Sequence, residues 1–300
     1  MRKSRKIALG VVFALVAVLS VVAATAAYML LHRVEGSYFV SDGIRLHYTE
    51  EGEGPPVILL HGFAVNADLN WRLSGISPRL AKEFHVVALD LRGHGLSDKP
   101  RTAAAYGMQL VEDVLRLMDL LDIERAHVVG YSLGGFVALK LATTHPERLL
   151  SVAVLGAGWE NPEASHFLGE LDRFAAALQS GKAVGPIAQA FGEDRRPSLV
   201  HRTWVKLMTG YLADKDAMVA LIGSLTELAV SEAHLRSIQV PICGIVGGED
   251  ILRPGAEAMV GRVPKYDLTV IAGADHVRAP TRPEFQETLV AFLRRNKPQK

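Results

Sequence analysis

The sequence predicts an α/β fold, with a mostly parallel eight-stranded sheet, helices on both faces, a helical cap insertion and an N-terminal transmembrane helix. Short apolar runs alternate with helical patterns along most of the chain, as is typical of a buried parallel sheet. This alternation stops between Leu155 and Ile242, which indicates an insertion. The N-terminal segment has the composition of a membrane span.

Eight strand-like runs predict the sheet. The first two are joined by Asp42-Gly43, which is typical of a two-residue hairpin turn, so we expect these two strands to pair antiparallel. Between later runs, residues 109–121 have a broad apolar stripe with charges opposite and are expected to form a helix. The predicted strands are Tyr38–Val40, Arg45–Thr49, Val57–Leu60, Val86–Leu89, His127–Val129, Val152–Leu155, Ile242–Val246 and Leu268–Ile271.

The interruption in the strand pattern sets the expected domain boundaries. Helical segments broken by Gly and Pro, as at Gly185-Pro186, fill the interruption. We therefore expect residues 158–237 to form a helical cap inserted into a core made of residues 36–157 and 238–300, with residues 1–35 as a separate membrane segment.

The N-terminal segment predicts membrane attachment. Four basic residues in the first six positions precede an uncharged, mostly apolar run, Ile7–Leu31. About 20 apolar residues suffice to span a bilayer. Basic residues before the span place the N-terminus in the cytoplasm and the folded domain outside. The alternative is a signal peptide cleaved near Ala24-Thr25-Ala26, which would give a secreted or periplasmic protein.

Composition excludes several classes of function. The net charge is +1, from 33 basic and 32 acidic residues, so we expect no nucleic-acid partner. The single cysteine, Cys243, lies in an apolar strand and allows no intrachain disulfide. Neither a metal-binding motif nor a dinucleotide motif is present, and we expect no cofactor. The sequence leaves the oligomeric state open.

One pentapeptide, Gly130-Tyr131-Ser132-Leu133-Gly134, predicts a nucleophile. It follows the apolar run Ala126–Val129 and precedes a helix-like stretch, Phe136–Thr144. Strand, G-x-S-x-G and helix in this order are typical of a nucleophile elbow, a sharp turn that holds the serine hydroxyl clear of the sheet. Side chains at the flanking positions would collide with the neighbouring strand or helix. Ser132 is therefore the predicted nucleophile.

A nucleophilic serine needs a base, and the base needs an acid that orients it. His276 follows the last predicted strand and Asp250 follows the strand before it, so both lie where open α/β sheets bind ligands. Glu249 is the main competitor for the acid. Asp275 is a weaker one, because an acid next in sequence to the histidine rarely points at its ring.

Four motifs together resemble a known family: His61-Gly62-Phe63, the segment Asp90–Ser97, the elbow at Ser132 and the pair of Asp250 and His276. With them the chain resembles α/β-hydrolase-fold serine hydrolases of the esterase, lipase and cofactor-free haloperoxidase type. The resemblance implies an oxyanion hole formed by the backbone N–H groups of Phe63 and Leu133, and a cap that roofs the nucleophile. We expect Asp90–Ser97 to be scaffold and His61 to be a hydrogen-bonded structural histidine.

The expected activity is hydrolysis of a small-molecule or lipid-like carboxylic ester through an acyl-enzyme. Ser132 would attack the carbonyl, His276 would take its proton and Asp250 would hold the imidazole. Two alternatives stay open: a carbon–carbon bond hydrolase that uses the same triad, and a catalytically silent binding module of the same fold. Serine rather than aspartate at the elbow argues against epoxide opening and halide removal.

Overall fold

The computed structural model describes residues 36–162 and 214–298, together with positions 20, 175, 176, 178 and 179. The expected transmembrane segment within residues 1–35 and the middle of the expected cap, residues 163–213, therefore lie almost wholly outside the described residues. Within the described part, no single helix has the length and apolarity to cross a bilayer, and one bent pair, Lys215–Ile222 with Leu225–Ser237, meets those criteria by length and composition alone.

An eight-stranded sheet forms the centre of the protein, with strand order β1-β2-β4-β3-β5-β6-β7-β8. The first two strands and the β2–β4 pair are antiparallel, and all other neighbours are parallel. The sheet confirms the eight predicted strands. Its strands are β1 (Gly36–Ser41), β2 (Ile44–Glu51), β3 (Pro56–Leu60), β4 (His85–Leu89), β5 (Ala126–Tyr131), β6 (Leu149–Leu155), β7 (Ile242–Gly247) and β8 (Tyr266–Ile271).

The turn between β1 and β2 has the predicted hairpin geometry. Ser41 pairs with Ile44 across a two-residue loop. Asp42 and Gly43 have φ values of 50° and 77°. Positive φ at both loop positions defines the type I′ turn, whose twist matches that of the flanking strands.

Helices cover both faces of the sheet. On β3, Ile58 and Leu60 belong to one buried apolar cluster, and Val57 and Leu59 belong to another. The first cluster includes α2 and α3, and the second includes α1 and α7. The helices are α1 (Ile76–Leu80), α2 (Gln109–Leu120), α3 (Leu133–Thr144), α4 (Lys215–Ile222), α5 (Glu232–Ser237), α6 (Arg253–Ala258) and α7 (Pro283–Arg295), besides a π-helix, Asp68–Arg72, and short 3₁₀ turns at 103–105, 146–148, 225–228 and 279–281.

The predicted helix over residues 109–121 is confirmed as α2, but its charges do not all lie opposite the apolar stripe. Asp113 is fully buried. Its carboxylate accepts hydrogen bonds from Arg92 Nε at 2.6 Å and Arg92 Nη2 at 2.5 Å, and from the Ser41 hydroxyl at 2.5 Å. A buried carboxylate is tolerated when it is paired and hydrogen-bonded in this way. The ion pair between Arg92 and Asp113 links the loop after β4 to α2.

The single cysteine, Cys243, lies in β7, as its apolar sequence context predicts. Only 2% of its surface is exposed. Burial in apolar surroundings raises the pKa of its thiol well above the ordinary value. Since the thiolate is the reactive form, Cys243 is chemically inert in the folded protein.

Candidate active site

Strands β3 to β8 are parallel, so their carboxyl ends meet at one edge of the sheet, where open α/β folds bind ligands. The loops after β3, β5, β7 and β8 carry the residues that the sequence singles out. These residues are Phe63, Ser132, Leu133, Asp250 and His276.

Ser132 occupies a strained turn between β5 and α3. Its backbone has φ 52° and ψ −114°. A non-glycine residue with positive φ is uncommon and costs free energy, and such strain concentrates at functional sites. The N–H of Ser132 donates to the carbonyl of Leu155 in β6 at 2.8 Å, which fixes the turn against the sheet. The strand, turn and helix context predicted for Ser132 is present.

Two glycines let this turn close. A Cβ atom on Gly130 would lie 2.0 Å from the carbonyl oxygen of Gly134, and one on Gly134 would lie 2.1 Å from the carbonyl oxygen of Leu60. Both obstacles are backbone atoms, which cannot rotate away. The first turn of α3 therefore packs directly on β5 and β3 with no room for side chains, as the sequence predicts.

We expect Gly130→Ala to lower the free energy of unfolding substantially, since overpacking a rigid site typically costs about 1–3 kcal/mol and occasionally more. Gly223→Ala is the matched control, because Gly223 has φ −62° and a Cβ there would lie no closer than 3.6 Å to any atom. Urea unfolding of both variants measures the effect. Equal stability of the two variants would contradict the close packing of the elbow.

His276 and Asp250 form a buried pair. His276 Nδ1 lies 2.8 Å from Asp250 Oδ2, and the two residues are 8% and 4% exposed. The other carboxylate oxygen of Asp250 accepts from the N–H of Leu252 at 2.9 Å. With one oxygen held by the backbone, the second is fixed in direction toward the imidazole.

The two competing acids are placed differently. Glu249 is exposed. Asp275 Oδ1 accepts the backbone N–H groups of Val277 and Arg278, at 3.0 and 2.8 Å, so this carboxylate stabilises the turn after His276. Of the three acids considered from the sequence, Asp250 makes the hydrogen bond expected of an orienting acid.

Tyr131 joins the loop of His276 to the elbow, and sequence reasoning did not single it out. Its ring centroid lies 5.1 Å from that of His276, and its hydroxyl donates to the backbone carbonyl of His276. Since Tyr131 directly precedes Ser132, this contact links the loop of the predicted base to the turn of the predicted nucleophile. The only feature of the sequence that pointed to this contact was an aromatic residue inside the G-x-S-x-G motif.

The loop after β3 approaches the elbow through Gly62. A Cβ atom on Gly62 would lie 3.4 Å from Ser132 Cβ. The carbonyl of Gly62 accepts from His61 Nδ1 at 2.7 Å, while His61 Nε2 accepts the N–H of Leu91 at 3.0 Å. Since Nε2 is an acceptor, His61 is neutral with its proton on Nδ1. Burial lowers the pKa of His61, and the residue is structural, as the sequence predicts.

The segment Asp90–Ser97 is scaffold, as expected. The Asp90 carboxylate accepts the N–H groups of Ala67 at 2.9 Å and Leu96 at 3.0 Å and also contacts His47 Nδ1 at 3.0 Å. Although burial opposes its charge, these hydrogen bonds keep the pKa of Asp90 below its ordinary value. The buried and fully hydrogen-bonded carboxylate of Asp90 therefore holds the surrounding loops together.

Two buried histidines, His94 and His127, remain neutral at pH values far below the ordinary pKa of histidine. Burial lowers the pKa of His94 to about 3 and that of His127 to about 4. Nε2 of each has no hydrogen-bond partner. His94 Nδ1 faces the carbonyl of Arg92 at 3.1 Å, as fits a residue of the Asp90–Ser97 scaffold.

These histidines predict a loss of stability in mild acid. In the unfolded chain a histidine takes up its proton near pH 6.5, whereas His94 and His127 do so only near pH 3 and 4 when folded. Between these values the unfolded state binds more protons. The free energy of unfolding therefore decreases as the pH is lowered, by about 1.4 kcal/mol per pH unit for each histidine. Urea unfolding at pH 7 and pH 5 should show this slope.

The variant His127→Asn should reduce that slope by about 1.4 kcal/mol per pH unit, leaving the contribution of His94, and His234→Asn should not change it, because His234 is exposed. Parallel slopes for the wild type and His127→Asn would contradict the assignment of the acid sensitivity to buried histidine.

A small cavity of about 50 Å³ lies beside α3. Its walls are mostly apolar, and Trp159, which forms one of them, donates its indole N–H to the carbonyl of Val230 at 2.8 Å. Burial raises the pKa of Glu160 on the same wall. Ser132 does not line this cavity. The lining residues are Phe136, Leu139, Gly158, Trp159, Glu160, Pro162, Leu225, Leu228, Ala229 and Val230.

The described residues contain no group of three or more His, Cys, Asp or Glu side chains that could hold a metal ion. The candidate site consists of a serine in a strained turn, a buried imidazole–carboxylate pair and two backbone loops. Such a set of groups can carry out nucleophilic attack on a carbonyl with general acid–base assistance.

Comparison with known proteins shows which family the chain resembles. Residues 55–220 match the family model described as alpha/beta hydrolase fold. The chain is 35% identical over 245 residues, or 79% of its length, to the dihydrolipoyllysine-residue acetyltransferase component of the acetoin cleaving system of Cupriavidus necator. The chain spans less than two thirds of the length of such relatives, 63% of that protein and 64% of its Pseudomonas putida counterpart.

The chain is also 38% identical to 2-hydroxymuconate semialdehyde hydrolase of Pseudomonas sp. strain CF600 over 124 residues, which are 41% of this chain and 43% of that protein.

Solved structures show the same likeness. Est816, described as an N-acyl homoserine lactone degrading enzyme, is 28% identical with a TM-score of 0.71, covering 85% of this chain and 100% of its own. A membrane phospholipase A, described as a bacterial virulence factor, is 25% identical with a TM-score of 0.72, covering 97% of this chain and 99% of its own.

Proposed function

Because the chain belongs to the alpha/beta hydrolase fold family, we propose that it is a serine hydrolase that cleaves carboxylic esters through an acyl-enzyme. The observation that carries this proposal is the buried hydrogen bond between His276 and Asp250, at 2.8 Å, in a loop that Tyr131 links to the strained turn of Ser132. A serine hydroxyl is a weak nucleophile unless a base takes its proton, and the base works best when a third group fixes its tautomer.

In the proposed first step, Ser132 Oγ attacks the ester carbonyl while Nε2 of His276 takes the hydroxyl proton. Asp250 holds the proton on Nδ1 of His276 and stabilises the imidazolium that forms. Collapse of the tetrahedral intermediate breaks the ester C–O bond, and His276 gives its proton to the leaving alkoxide. A water then loses a proton to His276 and attacks the acyl carbon. The bond to Ser132 Oγ breaks, His276 returns the proton to that oxygen, and the acid is released.

We propose that the backbone N–H groups of Leu133 and Phe63 bind the oxyanion of both intermediates. Leu133 is the first residue of α3, and N–H groups in the first turn of a helix have no partner within the helix. The positive end of the helix dipole at this position also favours negative charge. Donors that are already in place stabilise the transition state more than the ground state.

The substrate we propose is a small-molecule or lipid-like ester, received beneath a cap formed by residues 158–237. Two similar structures support this class, since one is described as degrading N-acyl homoserine lactones and the other as a phospholipase A. Lactones, phospholipids and simple esters all present an acyl carbonyl to the nucleophile.

The test is labelling of the purified protein with a fluorophosphonate, followed by mass spectrometry to identify the modified residue. We expect modification at Ser132 and none in heat-unfolded protein, because labelling needs the activated serine. A panel of p-nitrophenyl esters of increasing acyl length then measures the acyl preference as kcat/KM. A folded protein that reacts with no phosphonate and hydrolyses no ester would instead be a binding module.

A second candidate function is hydrolysis of a carbon–carbon bond, which the 38% identity to 2-hydroxymuconate semialdehyde hydrolase favours. The same serine, histidine and aspartate would serve, with a carbanion in place of the alkoxide as leaving group. Comparison of kcat/KM for a 2-hydroxy-6-oxodienoate with that for the best ester distinguishes the two. A ratio above about 10³ in favour of the dienoate would replace the ester assignment.

We also propose that residues 1–35 anchor the protein as a single-pass membrane segment with the catalytic domain outside the cytoplasm. The basic residues before Ile7–Leu31 support this topology. A reporter active only outside the cytoplasm, fused after Lys300, should be active, and the protein should resist extraction with carbonate. A soluble product that begins near Ala27 would show a cleaved signal instead, and an inactive reporter on a membrane-bound protein would reverse the topology.

A further inference from the structure

The geometry points to Asn70 as the residue that positions the oxyanion donor Phe63 N–H, an inference that rests on the proposed serine-hydrolase function. Asn70 lies in the π-helix Asp68–Arg72, which follows the loop after β3. Neither a sequence motif nor the resemblance to the family singles it out.

Gly62 is held by hydrogen bonds at both of its polar backbone groups. Its N–H donates to Asn70 Oδ1 at 2.9 Å, and its carbonyl accepts from His61 Nδ1 at 2.7 Å. A glycine has more backbone freedom than any other residue. These two side chains therefore supply the restriction that Gly62 lacks.

The hydrogen bonds to the backbone of Gly62 set the direction of the N–H group of Phe63. No cis peptide bond occurs among the described residues, so the bond between Gly62 and Phe63 is trans and planar. In such a bond the N–H points opposite to the carbonyl. Since the Gly62 carbonyl is turned toward the ring of His61, the N–H of Phe63 is turned away from that ring.

This peptide group lies next to the reacting atoms. A Cβ atom on Gly62 would be 3.4 Å from Ser132 Cβ and 3.5 Å from Asn70 Oδ1. Gly62 therefore lies between the amide of Asn70 and the nucleophile, directly before the Phe63 donor. A neutral acceptor suits this place, because a carboxylate there would oppose the negative charge that develops on the substrate oxygen.

The π-helix also contacts the elbow itself. Trp71, the residue after Asn70, is fully buried, and its ring packs edge-on against Tyr131 with centroids 6.5 Å apart. Tyr131 directly precedes Ser132. One short segment thus holds both the loop of the oxyanion donor and the turn of the nucleophile, and π-helical segments often occur at functional sites.

The test compares Asn70→Ala with the matched control Asn66→Ala. Asn66 Oδ1 also accepts one backbone N–H at 2.9 Å, but the donor is Leu69 within the same segment rather than Gly62. We expect Asn70→Ala to lower kcat about 10- to 100-fold with KM changed less than about threefold, and Asn66→Ala to keep both. Affinity for a trifluoromethyl ketone, which forms a charged tetrahedral adduct with the serine, should fall in proportion to kcat/KM.

A second variant, Asn70→Asp, keeps the acceptor for Gly62 N–H and covers the case in which the alanine variant does not fold. Its neutral acid accepts as the amide does, while its carboxylate opposes the oxyanion. Its activity relative to wild type should therefore fall as pH rises through the pKa of the new carboxyl group.

The outcomes separate the two proposals. An active wild type in which Asn70→Ala matches Asn66→Ala, or in which the Asn70→Asp ratio is independent of pH, overturns the role of Asn70 alone. A wild type that reacts with neither esters, dienoates nor phosphonates overturns the hydrolase function and this inference with it.

Discussion

Replacement of Ser132 by alanine is expected to lower kcat/KM for ester hydrolysis by about 10³-fold or more, because the covalent route is lost and only binding and the oxyanion donors remain. Folding should be nearly unchanged, since the N–H of Ser132 keeps its hydrogen bond to Leu155. The measurement is steady-state hydrolysis of the best p-nitrophenyl ester, with thermal unfolding measured in parallel.

The matched control is Ser77→Ala. Ser77 is a buried serine in α1, away from the carboxyl edge of the sheet, and its hydroxyl donates to Glu51 of β2 at 3.2 Å. This variant should keep wild-type kcat/KM and react with a fluorophosphonate at the wild-type rate. Wild-type activity in purified Ser132→Ala protein would refute the assignment of the nucleophile.

Replacement of Asp250 by asparagine should lower kcat by about 10³- to 10⁴-fold. The asparagine fits the same space, but its amide can donate to Nδ1 of His276 and so stabilise the wrong tautomer. It also removes the charge that stabilises the imidazolium. Because the pair is buried, water cannot replace the lost carboxylate. KM should change far less than kcat.

Two neighbouring acids serve as controls for Asp250. In Asp275→Asn the amide oxygen can still accept the N–H groups of Val277 and Arg278, and Glu249→Gln alters an exposed side chain. Both variants should keep kcat within about threefold of wild type. If Glu249→Gln were the most damaging of the three, the orienting acid would be one residue earlier than the hydrogen bond at 2.8 Å suggests.

The strands and the elbow were predictable because their signals are local. A short apolar run bounded by Gly or polar residues identifies a buried strand wherever it pairs. The ends of the strands were harder to predict. Strand β6 begins at Leu149, three residues before the predicted Val152. The prediction missed residues 149–151 because their sequence does not separate them from the preceding turn. The order of the strands in the sheet was not deducible, since apolar runs do not encode their neighbours.

The residues around the predicted site were harder to foresee, because they act over long separations in sequence. Tyr131 reaches His276 across 145 positions, and Asn70 reaches Gly62 from a π-helix, residues 68–72, that no sequence pattern predicted. The charge of Asp113 looked like part of a solvated helix face. It is buried because Arg92 lies opposite, and periodicity cannot show a partner on another segment.

The inert thiol of Cys243 makes the folded protein equivalent to a cysteine-free background for chemical labelling. The chain has no other cysteine, and a maleimide or methanethiosulfonate reagent needs an accessible thiolate. A cysteine introduced at Val277, which is 54% exposed and adjoins His276, would thus be the sole attachment point for a fluorophore or spin label. The surroundings of the sheet edge can then be probed in solution without first removing a native residue from the core.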